Sequence, residues 1–329
     1  MFQAILSARR SIYLEMYIFS DDMVQYDFLN LLKEKAAQGL HIHILLDSLG
    51  SSDLGKEAVA ELRKSGAEVL FHSYYLFHNH RKILVVDEKS AFIGGVNISQ
   101  RFRFWNDLVV EVRGKKLVKH IIRSFAKAYV ESKGKDKGIL SKNKPIVLDK
   151  TRTWLIEHFP ARRKSTLKKI YKENLNAAKE YIILVTPYFA PKRFMIKALR
   201  RAVKRGVRVD VLVPQKTDIF FIDRVNYFYM FRLAKYGVNF YLEPIMNHAK
   251  VMLIDSKEGI VGSQNLDFIS FDLNNEIGVF FKDEDIVKRL SEILDSWKKN
   301  AFLFNRNTYK PTRFDYVLSP LIRIFAKIF

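Results

Sequence analysis

The sequence predicts an α/β fold made of two similar halves, with mixed β-sheets flanked by helices. Three observations predict it. Strand-like and helix-like stretches alternate along the 329 residues, the order of parallel strands joined by helices. The pattern then restarts: "YIILVTPYF" (181–189) parallels "SIYLEMYIF" (11–19), and "MIKALRRAVKRGVRVDVLVP" (195–214) parallels "FLNLLKEKAAQGLHIHILLD" (28–47). Finally, one polar pattern occurs twice at an offset of 168. Two halves of that length, rather than many short repeats, mean a duplicated domain.

In chain order, "SIYLEMYIF" is β-rich, and "FLNLLKEKAAQG" (28–39) is a helix closed by Gly39, a residue suited to a helix C-terminus. A strand (41–47), a second Gly-ended helix (56–66) and a third strand (67–73) follow. "HNHRKILVVDEKSAFIGGVN" (78–97) reads as a hairpin turning at Asp87–Ser90, ahead of a strand (107–112) and a helix (116–132). The stretch 133–145 has no apolar period and reads as a linker or loop. The expected organisation is a first half at 1–133, a basic linker at 134–165, a second half at 166–304, and a basic, apolar tail at 305–329. In that tail "YVLSPLIRIFAKIF" (316–329) is too short to span a membrane. It reads either as an interfacial amphipathic anchor or as a helix docked on the core or on a second copy.

Composition narrows the partners. The chain carries 56 Lys/Arg against 35 Asp/Glu, a net +21, which calls for an anionic partner: nucleic acid, an anionic lipid surface or a phosphorylated substrate. Residues 115–169 alone hold 17 Lys/Arg against 4 acids. There is no cysteine, so disulfides, thiolate catalysis and Cys-based zinc sites are excluded. No apolar run reaches the ~18–20 residues of a span. Arg9 and Arg10 break up the start as a signal peptide. The expectation is a chain that is soluble or attached to a membrane from the side.

The doubled pattern carries the chemistry. "NHAKVMLIDSKEGIVGSQN" (247–265) echoes the hairpin: His80 pairs with His248, Lys82 with Lys250, Asp87 with Asp255 and Asn97 with Asn265, while Gly94-Gly95 becomes Gly262-Ser263. Core packing would preserve the apolar positions and not these polar types. The pattern H-x-K-x4-D-x6-G-[GS]-x-N, present twice, resembles the phospholipase D superfamily. "SIYLEMYIF", "FWND", "TPYFAP" and "GSQNLD" are similar to its bacterial cardiolipin synthase branch. The resemblance covers about residues 1–300. Bacterial members carry two membrane spans and a leader before the first strand, which here begins near residue 11. The expectation is a shorter, peripheral version at the cytoplasmic face of the cell membrane, or a chain without its natural beginning.

The resemblance implies one active site shared by both halves, acting on a phosphodiester, with His80, Lys82, Asp87, His248, Lys250 and Asp255 counted in its catalytic signature. Strand alternation puts His80 and Lys82 on one face. The lysines, with Asn97, Asn265, Ser263 and Gly95, would bind the phosphate, and the glycines would let backbone approach it. One histidine can attack phosphorus while the other protonates the departing alcohol. The sequence does not say which histidine is the nucleophile; in the family it is often the first copy, which by analogy selects His80. Asp87 and Asp255 fall on the other parity and read as supports at the hairpin turn. Asp107 and Glu276, 27 and 28 residues past their histidines, are the candidates to orient the imidazoles. The resemblance adds that each acid can serve the opposite half's histidine. No metal or cofactor is expected.

The implied reaction is phosphatidyl transfer, with phosphatidylglycerol as donor and acceptor, giving cardiolipin. Hydrolysis to phosphatidic acid, nuclease action, and a non-enzymatic binder with a dead site are the alternatives. The partners expected are an anionic phospholipid surface and phosphatidylglycerol or a related lipid, with nucleic acid ranked behind them.

Overall fold

Each half of the doubled pattern builds a mixed sheet. The computed structural model describes residues 1–22, 25–72, 78–143, 152–162 and 166–316. In the first half, α1 (Phe2–Leu6) leads to β1 (Ser11–Met16), α2 (Phe28–Ala37), β2 (His41–Asp47), α3 (Lys56–Lys64) and β3 (Glu68–His72). The hairpin β4 (Ile83–Val86) and β5 (Ser90–Gly94), then β6 (Val109–Arg113) and α4 (Lys115–Glu131), complete it. The order across the sheet is β3-β2-β1-β4-β5-β6. β1, β2 and β3 run parallel through helical crossovers, and β4 to β6 add as an antiparallel meander.

The second half opens with α5 (Gly138–Lys142), β7 (Thr153–His158), α6 (Thr166–Ala177), β8 (Tyr181–Val185), α7 (Arg193–Lys204) and β9 (Arg208–Pro214). α8 (Phe220–Ala234), β10 (Asn239–Glu243), β11 (Val251–Ile254) and β12 (Glu258–Gly262) follow. α9 (Phe268–Asp272), β13 (Glu276–Phe281), α10 (Glu284–Lys299) and β14 (Phe302–Leu303) end it. The order β14-β10-β9-β8-β11-β12-β13-β7 repeats the first sheet and adds an edge strand at each side. Gly39 and Gly206 both adopt a left-handed backbone, φ +86° and +87°, which ends α2 and α7 at the same point of each copy.

One apolar cluster spans both sheets. Leu45, Ile83 and Ile93 of the first meet Val185, Val251 and Ile277 of the second, closed by Phe125 of α4 and Leu290 of α10. Each such side chain fully buried is worth roughly 1.5–3 kcal/mol, enough in sum to fix one sheet against the other. Separate clusters lie under α1–α3 and under α6–α8.

The segment 134–165 is more than a linker. α5 buries Ile139, and β7 pairs along β13, with Trp154 stacked 3.7 Å from Phe280. Dense Lys and Arg on either side mask the short apolar run "TWLI" in the sequence. Of the tail stretch 316–329, residues 317–329 lie outside the described residues. Among the described residues no helix is long and apolar enough to cross a membrane.

Candidate active site

His80 and Lys82 stand just ahead of β4, and His248 and Lys250 just ahead of β11, both strands central in their sheets. All four side chains are buried. Each lysine turns back on its own histidine: Lys82 Nζ donates to the His80 carbonyl at 2.8 Å, and Lys250 Nζ to the His248 carbonyl. An ammonium carries three donors, so this contact fixes each lysine and leaves donors for an anion.

The acids are exchanged between the halves. His80 Nδ1 lies 3.1 Å from both carboxylate oxygens of Glu276, at the start of β13. His248 Nδ1 lies 2.9 Å from Asp107 Oδ2, just ahead of β6. A main-chain bridge backs each pair. Asn275, before Glu276, bridges to Asn79, before His80; Asn106, before Asp107, bridges to Asn247, before His248. The His248 amide itself donates to the Asn106 carbonyl at 2.7 Å. A carboxylate at Nδ1 sets the proton there and leaves Nε2 with its lone pair.

Different neighbours hold the two acids. Hydroxyls of Ser263 and Ser270 donate to Glu276, the second at 2.7 Å. Asp107 accepts the Leu108 amide at 2.7 Å and sits over Gly95, where a Cβ would come 2.3 Å from its Oδ1. Gly95 and Ser263 were expected on the phosphate. The structure places Gly95 beneath Asp107 and the Ser263 hydroxyl on Glu276, because β5 and β12 run directly against the strands that carry the acids.

Burial sets the charge state. It pushes His80 well below the usual histidine value and His248 down to about 4, and the lysine charges of both halves add to the effect on each. Burial also brings Lys250 down to about 8, against the pull of Asp107 and Glu276, and lowers Lys82 strongly. Burial alone would raise Asp107, but its bond to His248 holds it below the carboxylate range. Glu276 is raised by burial, which outweighs Lys82 and the serine hydroxyls. Without an anion the imidazoles are neutral, since further positive charge beside the lysines would be costly. An anion placed here would supply negative charge and raise both histidines and both lysines.

Asp87 and Asp255 are not brought to this site. Asp87 accepts from the backbone amides of Arg9, Arg10 and Ser11, and Asp255 from those of Lys179, Glu180 and Tyr181. Both occupy hairpin turns with positive φ, 52° and 50°, and they tie those turns to the start of β1 and β8. Asn97 and Asn265 are buried on the loops after β5 and β12. Asn97 accepts the Ile18 amide at 3.3 Å, and Asn265 Oδ1 has no hydrogen-bond partner among the described residues.

Aromatic rings wall the site. Tyr17 meets His80 edge-on at 4.7 Å and lies 5.0 Å from Lys82 Nζ. Trp105 flanks His248 at 5.7 Å. Beside His248 and Asp107 opens a cavity of about 550 Å³, lined by Phe28, Phe92, Phe102 and Trp105 and by the polar Asn97, Gln100, Arg103 and Glu111. Large apolar side chains stand exposed near site residues along the chain: Leu49 precedes Gly50, which packs on Tyr17; Phe104 precedes Trp105; Ile219, then Phe220 and Phe221 at the start of α8, follow Asp218, which accepts from Tyr188, a ring 6.4 Å from His248; Ile245 lies three residues before His248.

The family model described as "Cardiolipin synthase, PLD-like domain" matches residues 1–129 and 171–297. The chain belongs to the cardiolipin synthase branch of the phospholipase D superfamily. It is 29% identical to "Probable cardiolipin synthase YwiE" of Bacillus subtilis over 88% of this chain and 61% of that protein. It is 32% identical to "Cardiolipin synthase A" of Pseudomonas syringae over 89% of this chain and 64% of that one. The chain thus spans less than two thirds of the length of these relatives. In fold it resembles the crystal structure of phosphatidylserine synthase from Haemophilus influenzae, with a TM-score of 0.75, 13% identity, and coverage of 99% of this chain and 90% of that one.

Within this phospholipase D-like site, several residues escaped the sequence reading. Asn79 and Asn247 precede the two histidines at the same 168 offset, so the comparison that found the motif could have found them. Their carboxamides bind the buried acids Glu15, at 2.7 Å, and Glu243, at 2.9 Å. Ser270 carried no signal, because its counterpart loop in the first half holds its acid differently.

Proposed function

We propose that this chain transfers a phosphatidyl group between alcohols, converting two phosphatidylglycerol molecules into cardiolipin and glycerol. The observation that carries this reading is the cavity opening on His248 and Asp107, walled in part by Phe28, Phe92, Phe102 and Trp105, in a site that also holds two buried lysines and two imidazoles each held by a carboxylate. A lipid-borne alcohol needs such a wall, whereas a nucleic-acid backbone has little use for it. The names of the relatives agree with the reading.

His80 Nε2 attacks phosphorus, the P–O bond to the first glycerol breaks, and that oxygen takes a proton from His248. Glu276 accepts the Nδ1–H of His80 and steadies its growing positive charge. The hydroxyl of the second lipid then gives its proton to His248 and attacks phosphorus, and the P–N bond breaks. Phosphate binding raises His248, which takes up a proton from solvent at Nε2 before the first step. Lys82 and Lys250 neutralise the phosphate oxygens throughout. The exposed apolar side chains of Phe104, Ile219, Phe220, Phe221 and Ile245 favour a membrane surface as the place of reaction.

Incubation with phosphatidylglycerol vesicles, read by mass spectrometry, tests the proposal. Cardiolipin and glycerol are expected, and are lost in His80→Ala and His248→Ala. Phosphatidic acid as the sole product means hydrolysis instead, and no cardiolipin with or without detergent overturns the reading.

A further inference from the structure

A second concave surface lies between α6 and α7, walled on a third side by α9. Its volume is about 720 Å³, and no residue of the histidine motifs lines it. Lys168 and Lys172 stand one turn apart on α6. Arg193, Lys197 and Arg201 stand on successive turns of α7, and Lys192 precedes them. Asp272 is the one carboxylate in the lining, and Lys192 already binds it. Among the described residues no acid pairs with the other five cations.

Like charges one turn apart work against a helix, so the stripe on α7 is unfavourable unless an anion meets it. Nor does the duplicated fold require it. The offset that aligns Gly39 with Gly206 sets Arg193, Lys197 and Arg201 against Tyr26, Asn30 and Glu34 in the first half. α1, with five residues, offers no counterpart to the lysines of α6. Phe194 and Phe268 add apolar surface among the cations. The cleft therefore combines unpaired positive charge with a partly apolar wall, the chemistry of a phosphate group that carries an organic substituent.

We propose that this cleft binds the phosphate headgroup of an anionic phospholipid at a site separate from the reacting histidines. The choice of a lipid as the source of that phosphate rests on the phosphatidyl-transfer reading above. The test titrates the 329-residue chain carrying His80→Ala, which stops turnover, with monomeric short-chain phosphatidylglycerol and separately with inorganic phosphate. The same chain with Lys197→Gln/Arg201→Gln is run beside it. Both chains keep the site at the histidines; the first is expected to show a second saturable site whose affinity falls about 100-fold in the other chain, about tenfold for each charge-assisted bond. With His80 restored, the double variant should cleave a soluble phosphodiester, bis-p-nitrophenyl phosphate, as the unmodified chain does, which confirms an intact fold. If phosphate displaces the lipid at equal concentration, the phosphate group alone is the ligand; if it does not, the whole headgroup is. Equal binding by the two chains overturns the proposal. Cardiolipin formation is not read in this test, so its failure is distinct from a failure of the transferase reading.

Discussion

Glu276 and His80 are 196 positions apart in the chain, yet both oxygens of the carboxylate lie 3.1 Å from the imidazole Nδ1. The contact joins the two sheets at the place where the chemistry is proposed. Glu276→Gln is expected to lower kcat by about 10²-fold or more with the fold retained. Because the glutamate is held to act through the histidine, its effect should vanish in a His80→Ala background. A loss of the same size in both backgrounds would falsify the orienting role.

Lys250 carries its charge below about pH 8 and loses it above. On the alkaline side phosphate binding should therefore weaken, and KM rise, as pH climbs through that value. A bound phosphate pushes the limb somewhat higher. Lys250→Arg keeps its charge at every accessible pH, so it should remove the limb near pH 8 and leave only the dependence due to Lys82, which burial also lowers. A KM profile for Lys250→Arg that rises where the parent's does assigns the limb to another group.

Asp87→Ala removes an acceptor shared by three backbone amides. The expected cost is about 1–3 kcal/mol of stability, measured by denaturant unfolding, with kcat per folded molecule unchanged. A strong loss of kcat in a fully folded Asp87→Ala protein would put the aspartate back into the reaction.

Gly95→Ala places a methyl group 2.3 Å from Asp107 Oδ1. The carboxylate must move off His248, and a displacement of that kind costs about 10²-fold in rate. Activity that survives the substitution would show that His248 works without Asp107.

Phe220 and Phe221 are 66% and 56% exposed. If they enter a membrane, each ring contributes roughly 1.5–3 kcal/mol to binding. Phe220→Ser/Phe221→Ser should then bind phosphatidylglycerol vesicles more than about tenfold more weakly, while turnover of a soluble phosphodiester persists. Unchanged vesicle sedimentation would remove these rings from the interface.

Much of the site was legible because the chain carries its own comparison. His80, Lys82 and Asn97 stood out only once His248, Lys250 and Asn265 were seen at the same spacing. Strand parity also separated Asp87 and Asp255 from the histidines, and their positive-φ turns show why those positions take a short polar side chain. Other features lay beyond periodicity. β7 is a single edge strand whose pairing depends on β13, more than a hundred residues away, and its basic surroundings look like a loop. The serines on Glu276, one after β12 and one on α9, and the glycine beneath Asp107 are matters of packing between elements. Spacing along one strand does not encode them.

The exchange of carboxylates between halves also bears on how such a chain can change by descent. Were recombination to replace one half with the corresponding half of a relative, every imidazole would meet a carboxylate of different parentage, and each main-chain bridge behind the pairs would join strangers. Divergence in one half is thus filtered by what the other half already contains. A second matching lies inside each half: the shorter acid sits over a bare glycine, and the longer one accepts from a hydroxyl.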